Sequence, residues 1–360
     1  MRVGKLQNHH LCIMSFSERI LNWYAEHKRA LPWRETKNPY VIWLSEIILQ
    51  QTRVEQGMPY FFRFLETYPN VTKFANAEEA EILRLWQGLG YYSRARNMHK
   101  ASKQVLELHN AKFPTDYQSL LKLPGVGEYT AAAISSFSSN HAHAVLDGNV
   151  FRVLARYFGI EEPINSSSGK KIFSKLAEEM LDRNQPAEYN QAIMDFGSLQ
   201  CKPKNPNCAE CVLRIDCRAY ESGLVNVLPA KIKGKKSKDR FFHYFIIEHD
   251  GAVLMSQRSE GDVWANLFEF PMIESDADLN VAELVQMEEF QKDFGLSVPT
   301  QIKGQIKHIL SHQNIYARFY KLEINASKLP KKSHWNYFIL EKLDTLAKHK
   351  LISSFVEHYF

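Results

Sequence analysis

Two isolated carboxylates, Glu46 and Asp147, are the side chains best suited to acid–base chemistry. Glu46 is the only charged residue between Val41 and Thr52, in the segment "VIWLSEIILQQT". Desolvation among apolar neighbours raises the pKa of a carboxyl group and makes it a general acid near neutral pH. The alternative is a single glutamate that faces water from an otherwise buried helix.

Asp147 stands in "AVLDGNVFRVLARYFG", directly before a helix predicted at 150–158. Aspartate commonly caps helix N-termini, and capping with one oxygen leaves the second oxygen for another role. A carboxylic acid that protonates a departing base and a carboxylate that stabilises or traps the sugar cation together break a nucleoside bond. Glu46 and Asp147 are candidates for this pair.

Four of the five cysteines form a cluster with the spacing Cys-x6-Cys-x2-Cys-x5-Cys. They are Cys201, Cys208, Cys211 and Cys217. Such clustering in a cytosolic chain favours a metal over disulfides, and four thiolates can hold zinc or an iron–sulfur cluster. Zinc modules usually contain two Cys-x2-Cys pairs, whereas this cluster contains one. Cys12 stands alone and is predicted to be inert.

The segment "LPGVGEYTAAAI" (123–134) joins two predicted helices, "DYQSLLKL" and "EYTAAAISSF". Gly125 and Gly127 permit a tight turn and close approach of another backbone. The N-terminus of the second helix offers N–H groups and partial positive charge to a phosphate. The segment resembles the helix–hairpin–helix of DNA repair enzymes. Lys202, Lys204 and Arg214, between the cysteines, also suit a DNA backbone.

The elements that must position these residues divide the 360-residue chain into parts. Helical spacing without strand alternation predicts an all-α domain at 15–222, with the cysteine loop at 201–217, after an N-terminal extension at 1–14. A linker follows at 223–240 and an α+β domain at 241–360. Apolar residues make up 45% and charged residues 24%, and no run approaches the ~18 apolar residues of a membrane span. We therefore expect a cytoplasmic protein, associated with the nucleoid if bacterial.

The linker contains "KIKGKKSKDR" (231–240), with six basic residues and one acid. The segment therefore carries a net charge of +5, which equals the net charge of the whole chain. Both a solubilising role and contact with phosphates remain open for it. Beyond it, "RFFHYFIIEHDGAVLMSQRS" predicts two strands joined as a hairpin at "HDG", and "QIKHILSHQNIYARFYKLEI" predicts two more strands around "SHQN". Helices are predicted near 280–294 and 341–359.

Taken together, the motifs are similar to those of MutY-type adenine DNA glycosylases, which belong to the endonuclease III superfamily. The motifs that carry the resemblance are "LPWR" (31–34), "NPYVIWLSEIILQQTRV" (38–54), "WQGLGYYSRARN" (86–97), "LPGVGEYTAAAI", "VLDGNVFRVLAR" (145–156) and the cysteine loop. They cover most of residues 17–220 in the order of the family. The resemblance implies a helix–hairpin–helix glycosylase domain in which the four cysteines hold a [4Fe–4S] cluster.

The resemblance also implies roles for individual residues. Glu46 would protonate adenine at N7, and Asp147, assisted by Asn149, would stabilise or capture the sugar cation. Positions matching the adenine pocket are Arg34, Gln191 and Met194. Gln51 and Leu89 match positions whose side chains insert into the DNA duplex, and Tyr91 would lie against the oxidised guanine.

Tyr129 follows the hairpin at a position where strand-cutting relatives place a lysine that forms a Schiff base with the sugar. A phenol cannot form that imine. The resemblance therefore implies that Tyr129 packs beside the catalytic aspartate and that the enzyme is monofunctional, leaving an abasic site. Slow incidental cleavage by Lys122 and other lysines is a weaker alternative.

The family's C-terminal domain is Nudix-like and reads 8-oxoguanine, and "VWANLFEFP" (263–271) resembles its Trp-rich segment. The Nudix metal box is not recognisable, and we expect Glu288 and Glu289 to form a solvated helix face rather than a hydrolase site. The family's recognition sequence "FSH" corresponds here to Leu310, Ser311 and His312. Leucine in place of phenylalanine keeps an apolar surface but loses an aromatic one.

The sequence therefore predicts a monomeric glycosylase that removes adenine paired with 8-oxoguanine or guanine in double-stranded DNA and has no membrane partner. One alternative is a glycosylase/lyase for oxidised pyrimidines, against which Tyr129 and the second domain argue. The other is a noncatalytic damage-binding protein, against which the intact Glu46 and Asp147 argue.

Overall fold

The structure is a computed structural model that describes residues 14–234, 237–324 and 332–360. The chain divides into two compact units. The first contains the described residues up to Gln51 together with Ala101–Lys233, and the second contains Thr52–Lys100 together with the described residues from Gly234 onward. These units do not coincide with the predicted domains, whose boundaries at 222 and 240 remain predictions. Cys12 lies outside the described residues.

Helices form the chain between residues 15 and 222. In order they are α1 (Phe16–His27), α2 (Pro39–Leu49), α3 (Val54–Thr67), α4 (Val71–Ala75), α5 (Glu79–Leu85), α6 (Ser93–Leu108), α7 (Tyr117–Leu121), α8 (Glu128–Ser139), α9 (Gly148–Phe158), α10 (Ser167–Met180), α11 (Pro186–Asp195) and α12 (Arg218–Glu221). Residues 15–222 are all described and contain no strand, which confirms the predicted all-α region. None of the described helices is long and apolar enough to cross a membrane.

Local sequence explains where α1 and α2 begin and which faces they bury. Ser15 caps α1 in a reciprocal capping box with Glu18. The side chain of Asn38 accepts a hydrogen bond from the Tyr40 N–H at the start of α2. All residues of α2 from Tyr40 to Ile48 except Val41 are buried, as expected for a helix that is apolar on every side. This burial carries Glu46 into the protein interior.

The core of the first unit is built from α1 and α8 to α11. Its largest fully buried side chains include Phe173, Tyr189 and Phe196. Burial of each phenylalanine contributes about 1.5–3 kcal/mol relative to exposure. This core fixes the N-terminal ends of α8 and α9, which hold Tyr129 and Asp147.

The second unit adds strands and further helices to α3, α4 and α5. The strands are β1 (Lys238–Ile246), β2 (Glu248–His249), β3 (Ala252–Gln257), β4 (Phe268–Glu269), β5 (Met272–Ser275), β6 (Thr300–Ile309), β7 (Gln313–Lys321) and β8 (Trp335–Ile339). The helices are α13 (Val281–Leu284), α14 (Glu288–Phe294) and α15 (Lys350–Tyr359). One sheet has the order β5-β1-β7-β6, and the other has the order β2-β3-β4 with β8 paired to β3. Only the β1–β7 pair is parallel among these strands.

The hairpin predicted at "HDG" is confirmed, because β2 and β3 pair across Asp250 and Gly251, and the two strands predicted around "SHQN" are β6 and β7. β6 and β7 are antiparallel and connect through the "LSH" segment, with Ile309 opposite Asn314. β1, however, pairs with β5 and β7 instead of β3. Its last five residues are all buried, because it is a central strand, and the turn at Asp250 and Gly251 joins the short β2 to β3.

Two other predictions concern exposed charge. β1 begins at Lys238, inside the predicted linker, and the Arg240 guanidinium lies 2.7 Å from Asp262 and 2.6 Å from Glu274. Arg240 is therefore a paired strand residue rather than a linker cation. Glu288 and Glu289 are exposed on α14, which confirms the predicted solvated face.

Candidate active site

Glu46 is buried on α2 and is contacted by Tyr129 from α8. The Tyr129 hydroxyl donates a hydrogen bond of 2.7 Å to Glu46 Oε2 and lies 3.4 Å from Met194 Sδ. The pKa of Glu46 is raised to about 7. Burial is the main cause, the nearby charge of Asp147 also raises the pKa, and the hydrogen bond from Tyr129 lowers it. The open alternative of a water-facing glutamate is thus wrong, since only 9% of Glu46 is exposed.

Asp147 is the N-cap of α9, as predicted. Its Oδ1 accepts hydrogen bonds from the backbone N–H groups of Asn149 (2.9 Å) and Val150 (2.8 Å). The second oxygen is not free, because the Asn149 side-chain amide donates to Oδ2 at 2.7 Å. Burial raises the pKa of Asp147, and these hydrogen bonds oppose the rise. Asp147 and Glu46 are therefore two interacting carboxyl groups in one buried region of the first unit.

Arg34 is held beside this pair by a residue that the sequence reading missed. Asp195 is completely buried and accepts hydrogen bonds from both ends of the Arg34 guanidinium, at 2.7 and 2.8 Å. Arg29 donates to the same carboxylate from its Nε at 2.9 Å. Burial alone would raise the pKa of Asp195, but the hydrogen bonds from the two arginines lower it below its ordinary value. The sequence did contain a signal for a buried ion pair at this position, because Asp195 is the only charged residue in "NQAIMDFGSLQ".

Gln191 and Met194, both on α11, also lie in this region. The Tyr24 hydroxyl donates to Gln191 Oε1 at 2.9 Å, which leaves the amide N–H groups of Gln191 pointing away from that bond. Arg34 Nη1 is 3.4 Å from the same hydroxyl. The hydrogen bonds thus form two groups in the first unit, one of Arg34, Tyr24 and Gln191 and one of Glu46, Tyr129 and Met194. The charge of Arg34 acts on Glu46 and lowers the pKa of its carboxyl group.

The turn between α7 and α8 has the geometry that its glycines predicted. Gly125 has a φ of +76°, in the left-handed region that favours glycine. Gly127 is the N-cap of α8 in an extended conformation, and a Cβ atom at this position would meet nothing within 4 Å. The first N–H groups of a helix have no intrahelical partner. The turn is therefore open to an anionic group at the N-terminus of α8.

The four clustered cysteines are each partly buried, and three pack against the first unit's core. Arg156 Nη1 lies 3.4 Å from Cys201 Sγ. The pKa of Cys211 is raised to about 11, mainly by burial and in part by the charges of the other three thiols, against a backbone hydrogen bond from Leu213. The four thiols therefore influence one another's ionisation. Among the described residues, no three His, Cys, Asp or Glu side chains are grouped tightly enough to hold a single metal ion.

A buried arginine connects Asp147 to the cysteine loop. Arg152 donates to Asn149 Oδ1 at 2.8 Å and, through Nε, to the Cys201 carbonyl at 2.8 Å. Asn149 in turn donates to Asp147. The sequence did not reveal this series of hydrogen bonds, although Arg152 and Arg156 are spaced i,i+4 and therefore lie on one face of α9.

The remaining predicted residues fall in different surroundings. Gln51 is exposed in the first unit with a φ of +57°. In the second unit Leu89 is buried, and Tyr91 is exposed with a φ of +47°. The Tyr91 hydroxyl lies 2.9 Å from Ser311 Oγ. Of the recognition segment, Leu310 is partly buried, whereas Ser311 and His312 are exposed.

The fold and this site define a class of protein. Residues 44–180 match the model of the HhH-GPD superfamily of base excision DNA repair proteins, and residues 243–358 match the NUDIX domain model. A solved structure of a thermostable thymine-DNA glycosylase is similar, with a TM-score of 0.54, 29% identity, and coverage of 57% of this chain and 95% of that one. A helix–hairpin–helix DNA glycosylase domain followed by a Nudix-like domain is thereby confirmed.

Similar curated proteins narrow the class. The adenine DNA glycosylase of Buchnera aphidicola subsp. Baizongia pistaciae is 36% identical over 84% of this chain and 84% of its own length. That of the subspecies Schizaphis graminum is 40% identical over 72% of this chain and 76% of its own length. The chain belongs to the adenine DNA glycosylase family. It is an enzyme of base excision repair, as the sequence predicted.

Proposed function

We propose that this enzyme hydrolyses the N-glycosidic bond of adenine paired with 8-oxoguanine, or with guanine, in double-stranded DNA. The observation that carries the proposal is Glu46: a buried carboxyl with a pKa of about 7, hydrogen-bonded by Tyr129 and adjacent to Asp147. A general acid works best when its pKa lies near the operating pH. At neutral pH a large fraction of Glu46 therefore carries the proton that a leaving base needs.

The two carboxyl groups divide the reaction between them. The Glu46 carboxyl gives its proton to adenine N7, the C1′–N9 bond breaks, and the bonding electron pair leaves with the base. Asp147, oriented by Asn149 and the start of α9, stabilises or traps the positive charge that develops on the sugar. Water then completes the hydrolysis, so that an abasic site remains.

Arg34, Gln191 and Met194 surround the adenine in this proposal. Asp195 fixes the planar guanidinium of Arg34 through two hydrogen bonds, and its negative charge limits how far Arg34 lowers the pKa of Glu46. The Tyr24 hydroxyl donates a hydrogen bond to the side-chain oxygen of Gln191, so that the amide N–H groups of Gln191 are directed to the base. Met194 supplies a polarisable surface for a flat ring.

The absence of a lysine at position 129 limits the reaction to base removal. Tyr129 is partly buried against Glu46, and burial raises its pKa well above the ordinary value, so that it remains a neutral hydrogen-bond donor. A neutral phenol has no amine with which to form a Schiff base. We therefore propose an enzyme without strong lyase activity.

Double-stranded DNA is the proposed partner of both units. Gly125 and Gly127 would bind a backbone phosphate at the N-terminus of α8. Extruding the adenine costs a few kcal/mol of unstacking, which Gln51 and Leu89 would offset by insertion into the duplex. Leu89 is buried here, so its insertion requires a change of conformation.

The second unit would recognise the base opposite the adenine. Ser311 and His312 are exposed and offer hydrogen bonds, Leu310 offers an apolar contact, and Tyr91 stands next to Ser311. Glu288 and Glu289 face solvent without the arginine of a Nudix metal box, which supports recognition rather than hydrolysis by this domain.

The four cysteines are proposed to hold a [4Fe–4S] cluster. The donor set is consistent with such a group, because four partly buried thiols influence one another's ionisation and a guanidinium lies beside Cys201. When bound, the cluster would stabilise the thiolate forms and fix the fold of the loop. Arg152 and Arg156 hold the backbone of this loop independently, through the carbonyls of Cys201, Lys202 and Pro203.

The opposite-base preference tests the proposal. Single-turnover excision of adenine is measured on matched duplexes with 8-oxoguanine, guanine or thymine opposite the adenine. We expect the fastest excision opposite 8-oxoguanine and the slowest opposite thymine. His312→Ala should reduce the preference for 8-oxoguanine, whereas His358→Ala, an exposed histidine on α15, should not. Equal rates on all three duplexes would contradict the proposal.

A further inference from the structure

The loop that ends at Asp147 has no regular secondary structure. Residues 140–147 connect α8 to α9 and form neither a helix nor a strand. Val145, within this loop, is 1% exposed. Such a loop has no hydrogen-bond ladder of its own, so its buried backbone groups need partners from elsewhere. The groups that hold the loop therefore help to determine where Asp147 lies.

The side chain of Asn190 holds this loop from α11. Asn190 is 1% exposed, and its Oδ1 accepts a hydrogen bond of 3.2 Å from the Val145 N–H. Its Nδ2 donates to the His143 carbonyl at 2.8 Å and to Ser136 Oγ, on α8, at 2.9 Å. The side-chain oxygen and both amide N–H groups of Asn190 are thus used. One buried amide therefore joins α8, α11 and the loop.

Two further contacts hold the same stretch of backbone. Glu178 Oε1, on α10, accepts a hydrogen bond of 2.8 Å from the Ala144 N–H. The His143 ring stacks on the ring of Tyr117, on α7, with centroids 4.4 Å apart and an angle of 18° between the planes. Residues 143–145 are thus held by side chains from α7, α10 and α11.

We propose that Asn190, supported by Glu178, is a positioning residue that places Asp147 for its part in adenine excision. Val145 is two residues from Asp147, a span of at most about 7 Å along the chain, so a movement of Val145 is passed on to the carboxylate. Asn190 also directly precedes Gln191 on α11, the helix of the proposed adenine pocket. The inference rests on the proposed function and deepens it, because Asn190 links that pocket to Asp147.

Single-turnover excision of adenine opposite 8-oxoguanine tests this role. We expect Asn190→Ala to lower the rate at least about tenfold, because displacement of a reacting group by about 1 Å can cost about a hundredfold. Duplex affinity should change little. The matched control is Ile20→Ala, which removes a buried side chain of α1 from the same core but none of these hydrogen bonds. It should lower the temperature of unfolding while the excision rate is retained.

Glu178 permits the same test without a change in the core, because 43% of its side chain is exposed. Glu178→Ala removes the acceptor for the Ala144 N–H and should slow excision, although less than Asn190→Ala does. Glu178→Gln keeps an oxygen acceptor and should restore the wild-type rate. Glu179→Ala, at the exposed neighbouring position, should have no effect. Equal rates for Glu178→Ala and Glu178→Gln would contradict the part assigned to Glu178.

The pH dependence of excision separates positioning from a general loss of stability. Burial raises the pKa of Glu46 most, and the charge of Asp147 raises it further. Tyr129, through its hydrogen bond, and Arg34, through its charge, lower it. When Asp147 moves away in Asn190→Ala, the pKa of Glu46 should fall. Because the acid acts in its protonated form, the decline in rate on the alkaline side should then begin at a lower pH than in the wild type or in the core control.

Hydrogen exchange of the DNA-free protein gives a readout besides activity. The Val145 amide should exchange faster in Asn190→Ala than in Ile20→Ala. Two results would overturn the inference. One is an excision rate and pH profile of Asn190→Ala that match those of Ile20→Ala, and the other is unchanged exchange of the Val145 amide in Asn190→Ala. Either result with normal excision by the wild type refutes only the inference, whereas faster exchange without any wild-type excision refutes only the proposed function.

Discussion

Replacing Glu46 with glutamine should stabilise the free protein, and the gain should grow with pH. Glutamine has nearly the same shape, and its side-chain oxygen can still accept the hydrogen bond from Tyr129. What the substitution removes is the ionisation of a carboxyl group that is buried in the native state. Removal of a proposed catalytic acid would then raise stability while it abolishes activity.

The magnitude follows from the pKa of Glu46, which burial raises from 4.5 to about 7. Between these values the unfolded chain releases a proton that the native protein keeps, so native stability falls as the pH rises. Above about pH 7 both states are ionised and the full penalty applies. A difference of about 2.5 units at 1.36 kcal/mol each corresponds to roughly 3 kcal/mol.

Urea unfolding of the DNA-free protein at several values between pH 5 and pH 8.5 measures this effect. The free energy of unfolding of Glu46→Gln minus that of the wild type should rise by roughly 3 kcal/mol across this range and then level off. Glu128→Gln, at the exposed first position of α8, serves as the control and should give a flat difference. Parallel curves for wild type and Glu46→Gln would refute the assignment of a buried, protonated Glu46.

Three further predictions concern the groups around the site. Asp195→Asn should destabilise the first unit by about 3 kcal/mol in urea unfolding, because two arginines lose a buried partner. Asp216→Asn, which breaks an exposed ion pair, should cost less than about 1 kcal/mol. Equally small losses in both variants would contradict this prediction. Arg152→Met should lower the single-turnover excision rate while duplex affinity is retained, because the orientation of the proposed sugar-stabilising carboxylate is lost; an unchanged rate would show that the chain to the cysteine loop is dispensable. Gly125→Ala should destabilise the protein by about 1–2 kcal/mol, because the φ of Gly125 is +76°. Gly127→Ala, at an extended position with open space, should hardly change the free energy of unfolding but should weaken DNA binding. The reverse order of stabilities would refute the turn assignment.

The first unit was predictable because its signals are local. The all-apolar run around Glu46 specified both a buried helix and a perturbed carboxyl group, and the position of Asp147 before a helix specified its cap. The glycines of the hairpin likewise define their own turn. Each of these features depends on neighbours within a few residues in the chain.

Long-range pairs were not predictable in the same way. Asp195 acquires its meaning from Arg29 and Arg34, which are more than 160 residues away in sequence. The charge of Asp195 within an apolar run indicated a buried partner but could not identify it. A single sequence contains no information about which of 45 basic residues would supply that partner.

The partners of β1 were not predictable for the same reason. The turn at "HDG" does join two paired strands, but β1, which forms most of the first run, is central in a different sheet, where its partners β5 and β7 lie far along the chain. Alternation and turn residues identify strands and close turns, whereas register between distant strands depends on which faces are buried. The stacking of Trp264 on His349 is likewise invisible in the sequence.

Product analysis on one end-labelled duplex with adenine opposite 8-oxoguanine tests the central claim most directly. Wild type, Glu46→Gln and Glu128→Gln are incubated with the duplex, and strand breaks are compared with and without alkali and after borohydride treatment. We predict breaks only after alkali for wild type and Glu128→Gln, none for Glu46→Gln, and no borohydride-trapped complex. Excision by Glu46→Gln at the wild-type rate would contradict the role of Glu46 as the acid, and breaks without alkali would contradict a monofunctional enzyme.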